Sequence, residues 1–179
     1  GTALIMGGTD HPLTIPGPDP PSDIDEYVDW AYGNFIGPSQ LCGPSCTKVG
    51  VFTPAEFWPI TGLHSMTFDQ SVPIGLANLD DCLRGKPCTV TNAGPPFTSS
   101  GSRPVTDTSY TVFGYSQSGA IASLQKSDLI AHPIAEDVSF VFLSNPNRPN
   151  GGILERFVGV HIPILDVTFN GPTVTNSPD

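Results

Sequence analysis

The feature that most constrains this chain is the hexapeptide Gly114-Tyr115-Ser116-Gln117-Ser118-Gly119, set between a β-type run, Tyr110 to Phe113, and a helical stretch, Ala120 to Ala131. A serine at the apex of a tight strand-to-helix turn is thrust out at the carboxyl edge of a sheet. Small residues two places before and two places after it, here Gly114 and Ser118, let the helix and the neighbouring strand pass close to the turn. Amides at the helix start point at the space above the hydroxyl and, with the helix dipole, can receive a developing oxyanion. Ser116 is therefore the candidate nucleophile. The fifth position is Ser118 rather than glycine, so the pattern is G-x-S-x-S. The plain alternative is a Gly/Ser turn with no chemistry.

The rest of the chain reads as strands alternating with helices, which predicts an α/β fold with a mainly parallel sheet. Thr2 to Met6 is a short buried strand closed by Gly7-Gly8. Gly7-Gly8-Thr9 is either the loop that supplies a second oxyanion donor, through the amide and hydroxyl of Thr9, or a simple exit from the strand. Five prolines between Asp10 and Pro21 make that stretch a loop. Ser22 then caps a helix whose first turn holds Asp23, Asp25 and Glu26, with Ile24, Tyr27, Val28, Ala31 and Phe35 on one apolar stripe. Gly37-Pro38 ends it, and a turn-rich stretch follows. A second helix runs from about Thr67 or Ser71 to Arg84, with Pro73 tolerated only near its start or as a kink. Residues 89–108 are small, polar and Pro-rich and are expected to form an exposed, poorly ordered insertion. Val138 to Leu143 is a further strand, followed by the turn cluster Asn145 to Gly152. Length and pattern fit a single domain over residues 1–179 with no internal repeat.

Composition narrows the classes. Twenty prolines and 19 glycines in 179 residues stay below the share of low-complexity chains, and 38% hydrophobic residues indicate a folded, turn-rich protein. Seven basic against seventeen acidic residues give a net charge of −10, which makes nucleic acid a poor partner. No apolar run reaches the length of a membrane span, so peripheral membrane association would come from segments outside the chain. Cys42/Cys46 and Cys82/Cys88 each bracket a Gly/Pro turn, and neither spacing suits zinc; local disulfides 42–46 and 82–88 are expected, and with them an exported protein. No calcium-loop pattern occurs, and no metal or cofactor is expected.

TALIMGGT, FTPAEFWPITGLHSMTFDQSVPIGLANLDDCL, VFGYSQSGAIAS and FVFLSNPNRPNGGILERF together resemble the PE-PPE hydrolase domain of the mycobacterial cell envelope, itself similar to cutinases and serine esterases. The resemblance covers nearly the whole chain. The paired cysteines and the WP-TG segment resemble the trehalose-lipid acyltransferase branch. The resemblance implies a cutinase-like α/β-hydrolase three-layer sandwich, incomplete in this chain. It also implies Ser116 as nucleophile, Gln117 (amide) and Thr9 as the oxyanion hole, and a lipid ester or glycolipid as substrate. Its acid and histidine would fall downstream, in segments resembling QYDGIADFP and YVHG, which this sequence lacks. The isolated 179 residues are therefore expected to be nearly inert.

The histidines present are weak substitutes. His132 falls at the far end of the helix after Ser116, and His64 in a loop. His11 lies near the glycine loop but precedes the serine. His161, with Glu155 upstream, has its acid only six residues away. Arg148 and Arg156 both follow the last strand, and Arg148 is read as a turn anchor or as a headgroup or sugar contact. Trp58, Phe52 and Phe57 fill core or line an acyl groove, and Trp30 falls one place off its helix stripe. The rival classes are a lipid- or glycan-binding module without turnover and a purely structural surface domain.

Overall fold

The computed structural model describes residues 1–143, and the backbone of 161–162 and 167–168. The expectations for Asn145–Gly152, Arg148, Glu155, Arg156 and the His161 side chain lie outside the described residues.

Four strands pair in parallel in the order β2-β1-β5-β6: β1 (Thr2–Ile5), β2 (Thr47–Gly50), β5 (Ser109–Tyr115) and β6 (Asp137–Leu143). β1 lies between two neighbours, Thr2 pairing with both Thr47 and Tyr110, and all four of its residues are buried. A strand covered on both faces reads as a continuous apolar run, which is why TALIM was legible. β2 was not legible: it falls in the stretch expected to hold only turns. TKVG is four residues with an exposed first side chain, and its place is set by pairing with a strand some 45 residues away.

Strand alternation sorts the core into two layers. Leu4, Met6, Val112 and Phe140 pack on helices α3 (Phe68–Leu83) and α4 (Gln117–Ala131). Ala3, Ile5 and Phe113 pack on helix α1 (Pro21–Ala31) with Ile24, Val28 and Ala31. The result is a parallel sheet flanked by helices, the α/β class expected.

The first helix differs in detail. Its cap is Pro20, in extended conformation, with Pro21 in the first turn; Ser22 is already helical. Gly37-Pro38 does not stop the chain. The helix continues through a π turn (Tyr32–Ile36) into α2 (Gly37–Ser39), because proline is accepted at the start of a new helical turn, and it ends at Gln40 with φ 60°. α3 begins with a capping box: Gln70 N–H donates to Thr67 Oγ1 at 3.3 Å, and Thr67 N–H donates to Gln70 Oε1 at 3.0 Å. Pro73 lies inside this helix.

The segment 89–108, expected to be exposed and poorly ordered, is exposed along much of its length but is largely a tethered hairpin rather than a poorly ordered insertion. β3 (Cys88–Thr91) and β4 (Ser100–Arg103) pair antiparallel, and Val51 bridges to Val90. Phe97, at its turn, is 1% exposed in the α1-side core, and its amide donates to the Asp25 carboxylate at 2.8 Å. Ile15 and Ser100 tie the hairpin down further through Ser100 N–H to Ile15 O at 2.9 Å and Ile15 N–H to Ser100 Oγ at 2.8 Å. Both expected disulfides are present. Cys42–Cys46 closes a turn before β2, and Cys82–Cys88 joins the end of α3 to β3. Two further strands, β7 (His161–Ile162) and β8 (Val167–Thr168), pair antiparallel.

The strand order also locates a crevice. From β1 the chain leaves towards α1 on one face; from β5 it leaves towards α4 on the other. Loops that diverge from adjacent parallel strands open a gap at the carboxyl edge, the switch point where α/β sheets bind ligands. Gly7-Gly8-Thr9 and Ser116 stand on the two sides of that gap.

Candidate active site

Ser116 caps α4 with φ 56° and ψ −119°, a conformation that costs a non-glycine residue about 1–3 kcal/mol. Main-chain bonds hold it there. Ser116 N–H donates to Leu143 O at 3.2 Å, and Gly119 N–H donates to Ser116 O at 2.9 Å. Gly114 is required one turn earlier: a Cβ there would lie 2.5 Å from the Ser118 carbonyl oxygen and 3.0 Å from Ala122 Cβ. Ser118, the departure from the glycine pattern, braces the elbow. Its hydroxyl accepts from Tyr115 N–H at 2.8 Å and donates to Tyr115 O at 2.9 Å. Sequence spacing assigned Ser118 only smallness; the bracing role was missed, and a hydroxyl in place of the usual glycine was the available signal.

The glycine loop does approach the serine. A Cβ on Gly8 would lie 3.6 Å from Ser116 Cβ and 2.7 Å from the Tyr115 ring, so only glycine lets the two loops pass this closely. A Cβ on Gly7 would collide with the His11 carbonyl oxygen. His11 N–H donates to Gly8 O at 3.0 Å, making Gly8–His11 a tight turn. The turn is fixed from two sides. Asp10 N–H donates to Ala55 O at 2.7 Å, and the Tyr27 hydroxyl donates to Met6 O at 2.7 Å. Burial, with Tyr115 adding to it, pushes the Tyr27 phenol above its ordinary range, so it remains a neutral donor.

Gln117 is 3% exposed, and both ends of its side chain are engaged. Ser71 donates to Oε1 at 2.8 Å, and Nε2 donates to Glu56 O at 2.8 Å. Glu56 N–H donates to Ser71 Oγ at 3.1 Å, closing a ring between α3, α4 and the 53–57 segment. The Gln117 side chain is thus a clamp, and only its backbone amide, first in α4, is left for a ligand. Among the described residues the Ser116 hydroxyl, the Gln117 amide and the amide and hydroxyl of Thr9 make no hydrogen bond. Ser116 and Thr9 are both half-buried. The arrangement can hold a nucleophilic oxygen beside amides that await negative charge.

No histidine among the described residues bonds Ser116. His11 Nδ1 meets Asp19 Oδ1 at 2.9 Å, with the His11 side chain 59% exposed. His132 is exposed beside Asp128 at the far end of α4, and His64 lies in an exposed loop. Phe57 packs edge-on to Phe68 at 5.3 Å between ring centroids and so serves the core, whereas Trp58 is half-buried. Trp30 joins an aromatic cluster, 6.0 Å from Tyr115 and 5.2 Å from Phe35.

Residues 44–178 match the family model described as the PE-PPE domain. Esterase PE16 of Mycobacterium tuberculosis is 36% identical over 177 residues, covering 96% of this chain and 28% of that protein. PE family protein PE3 of the same organism is 35% identical over 183 residues, covering 99% of this chain and 32% of that protein. SL1278 acyltransferase Chp1, also from that organism, is 30% identical over 172 residues, covering 96% and 36% respectively. The chain spans about a third of the length of these curated relatives.

Proposed function

Because the chain belongs to the PE-PPE domain family, we propose that it carries the nucleophile half of a serine esterase or acyltransferase site acting on lipid esters of the cell envelope, of the acyl-trehalose type. One observation carries this reading: Ser116 is held in a strained conformation beside Gly8 with its hydroxyl and the neighbouring amides uncommitted. Two relatives, an esterase and an acyltransferase, support the reaction class.

In this mechanism Ser116 Oγ attacks the ester carbonyl, and its proton passes to a base supplied from outside the described residues. The tetrahedral oxyanion is held by the Gln117 amide and by Thr9. Collapse expels the alcohol and leaves an acyl-Ser116 ester, which water or a sugar hydroxyl then takes up. The acceptor that wins depends on how well the closed site excludes water. Without such a base a serine hydroxyl is a weak nucleophile, so the rate depends on the group that takes the Ser116 proton. The two disulfides support an exported protein, since they persist in oxidising compartments.

The test is active-site labelling of the protein by a fluorophosphonate. Stoichiometric labelling that disappears in Ser116→Ala is the expected result. Absence of labelling in the wild type rejects the catalytic reading. It favours instead a lipid- or glycan-binding module, a reading that the lack of a histidine on Ser116 among the described residues also suits.

A further inference from the structure

We infer that the loop formed by residues 57–66 is a lipid-docking tip, which seats the protein on an uncharged lipid surface beside the Ser116 elbow. The inference deepens the proposed function and rests on it only for the purpose of docking. The binding itself stands on the loop.

FWPITGLHSM contains no Asp, Glu, Lys or Arg in a chain of net charge −10. Ile60 is 74% exposed, Leu63 78% and Met66 36%, three large apolar side chains on one short loop. Apolar groups so exposed on a defined surface mark a protein or membrane contact. The loop is internally bonded rather than loose. Trp58 N–H donates to Met66 O at 2.9 Å across the neck, Thr61 N–H to Phe57 O at 3.1 Å and Gly62 N–H to Pro59 O at 3.2 Å. Phe57 N–H donates to Thr61 Oγ1 at 2.9 Å, and that hydroxyl donates to Ser65 Oγ at 2.8 Å. Ile60 and Leu63 are therefore presented at small ordering cost.

The neck continues into the site. Glu56 takes the Met66 amide on its carboxylate at 2.9 Å and the Gln117 side chain on its carbonyl at 2.8 Å. The neck of the loop thus abuts the residue that follows Ser116. Charge selects the kind of surface: an acidic protein gains nothing from an anionic leaflet, and a tip without cations has nothing to offer one. The occupant is an electrically neutral lipid surface, entered by the side chains of Ile60 and Leu63.

The test uses vesicle co-sedimentation of the full chain with phosphatidylcholine vesicles and, separately, vesicles containing phosphatidylserine. Wild type is expected to partition onto phosphatidylcholine and less onto the anionic vesicles. Ile60→Ser with Leu63→Ser is expected to lower that partition at least about tenfold while thermal unfolding is unchanged. Trp58 reports independently: a blue shift of tryptophan emission on lipid addition is expected, and its loss in Trp58→Phe assigns it to the loop. Equal partition of the double variant and wild type overturns the proposal. So does a wild type that ignores neutral vesicles, or one that self-associates through Ile60 and Leu63 instead. Fluorophosphonate labelling of wild type without lipid is read separately. If labelling fails while loop-dependent vesicle binding persists, the catalytic reading falls and the docking tip stands.

Discussion

The two edges of the central sheet are built on opposite principles. At the amino edge most polar groups bond one another, although Gln125 Oε1, whose amide nitrogen donates to Asp80, has no partner among the described residues. Arg84 bonds Asp80 and Asp128, each at 2.9 Å, and the carbonyl of His132 at 3.0 Å. Thr2 donates to Asp107 at 2.7 Å, and Tyr110 donates to Val105 O while accepting from Asp107 N–H. At the carboxyl edge three non-glycine residues, Asp10, Ala55 and Ser116, have φ of 73°, 56° and 56°. There the Ser116 hydroxyl and the Gln117 and Thr9 amides have no partner among the described residues. The difference teaches where to look for chemistry: open donors stand beside a strained serine at one end, while the other end spends most of its polar groups on cohesion.

Substitutions can break or sharpen that contrast. The largest effect is expected for Gly114→Ala, because the added Cβ meets backbone rather than a yielding side-chain tip. About 3 kcal/mol of stability should be lost in denaturant titration, along with fluorophosphonate labelling. Ser118→Ala removes both hydroxyl bonds that brace Tyr115. A loss of about 1.5 kcal/mol is expected, with slower labelling because the elbow is less firmly held. Ser116→Gly has the opposite sign. Glycine adopts the strained conformation freely, so stability should rise by about 1 kcal/mol while labelling vanishes. A fall in stability would mean that the elbow is not strained. The smallest effect belongs to the amino edge. The Thr2 hydroxyl holds the Asp107 carboxyl below its usual range. That contribution is present above the ordinary carboxylate pKa and is lost as pH falls through the lowered one. Thr2→Val should therefore destabilise the protein slightly at pH 7 and hardly at all in strong acid, measured by denaturant midpoints across pH. Labelling of Ser116 should not change.

Legibility in the sequence followed locality. The elbow could be read because the residues that set its turn lie within six consecutive positions, Gly114 to Gly119, although Leu143 and Ala122 also help hold it. β1 and both disulfides were equally local. What escaped depends on distant partners. The Gln117 clamp reaches Ser71 and Glu56, 46 and 61 residues away in sequence. β2 exists only by pairing with β1. The hairpin β3–β4 consists mostly of small residues that give no periodic signal, and Phe97, the one large apolar side chain in 89–108 that could have betrayed it, was read as part of an exposed insertion. Ser116 was legible as an apex. The clamp, the Asp10–Ala55 bond and the Tyr27–Met6 bond that steady the surrounding loops were not.

None of the bonds that shape the elbow uses the Ser116 side chain; they run through its amide and carbonyl, through Gly114 and through Ser118. The socket is accordingly indifferent to what it displays. A thiol could stand where the hydroxyl does with the frame untouched, so the reactive atom of this scaffold can be exchanged without redesigning what carries it.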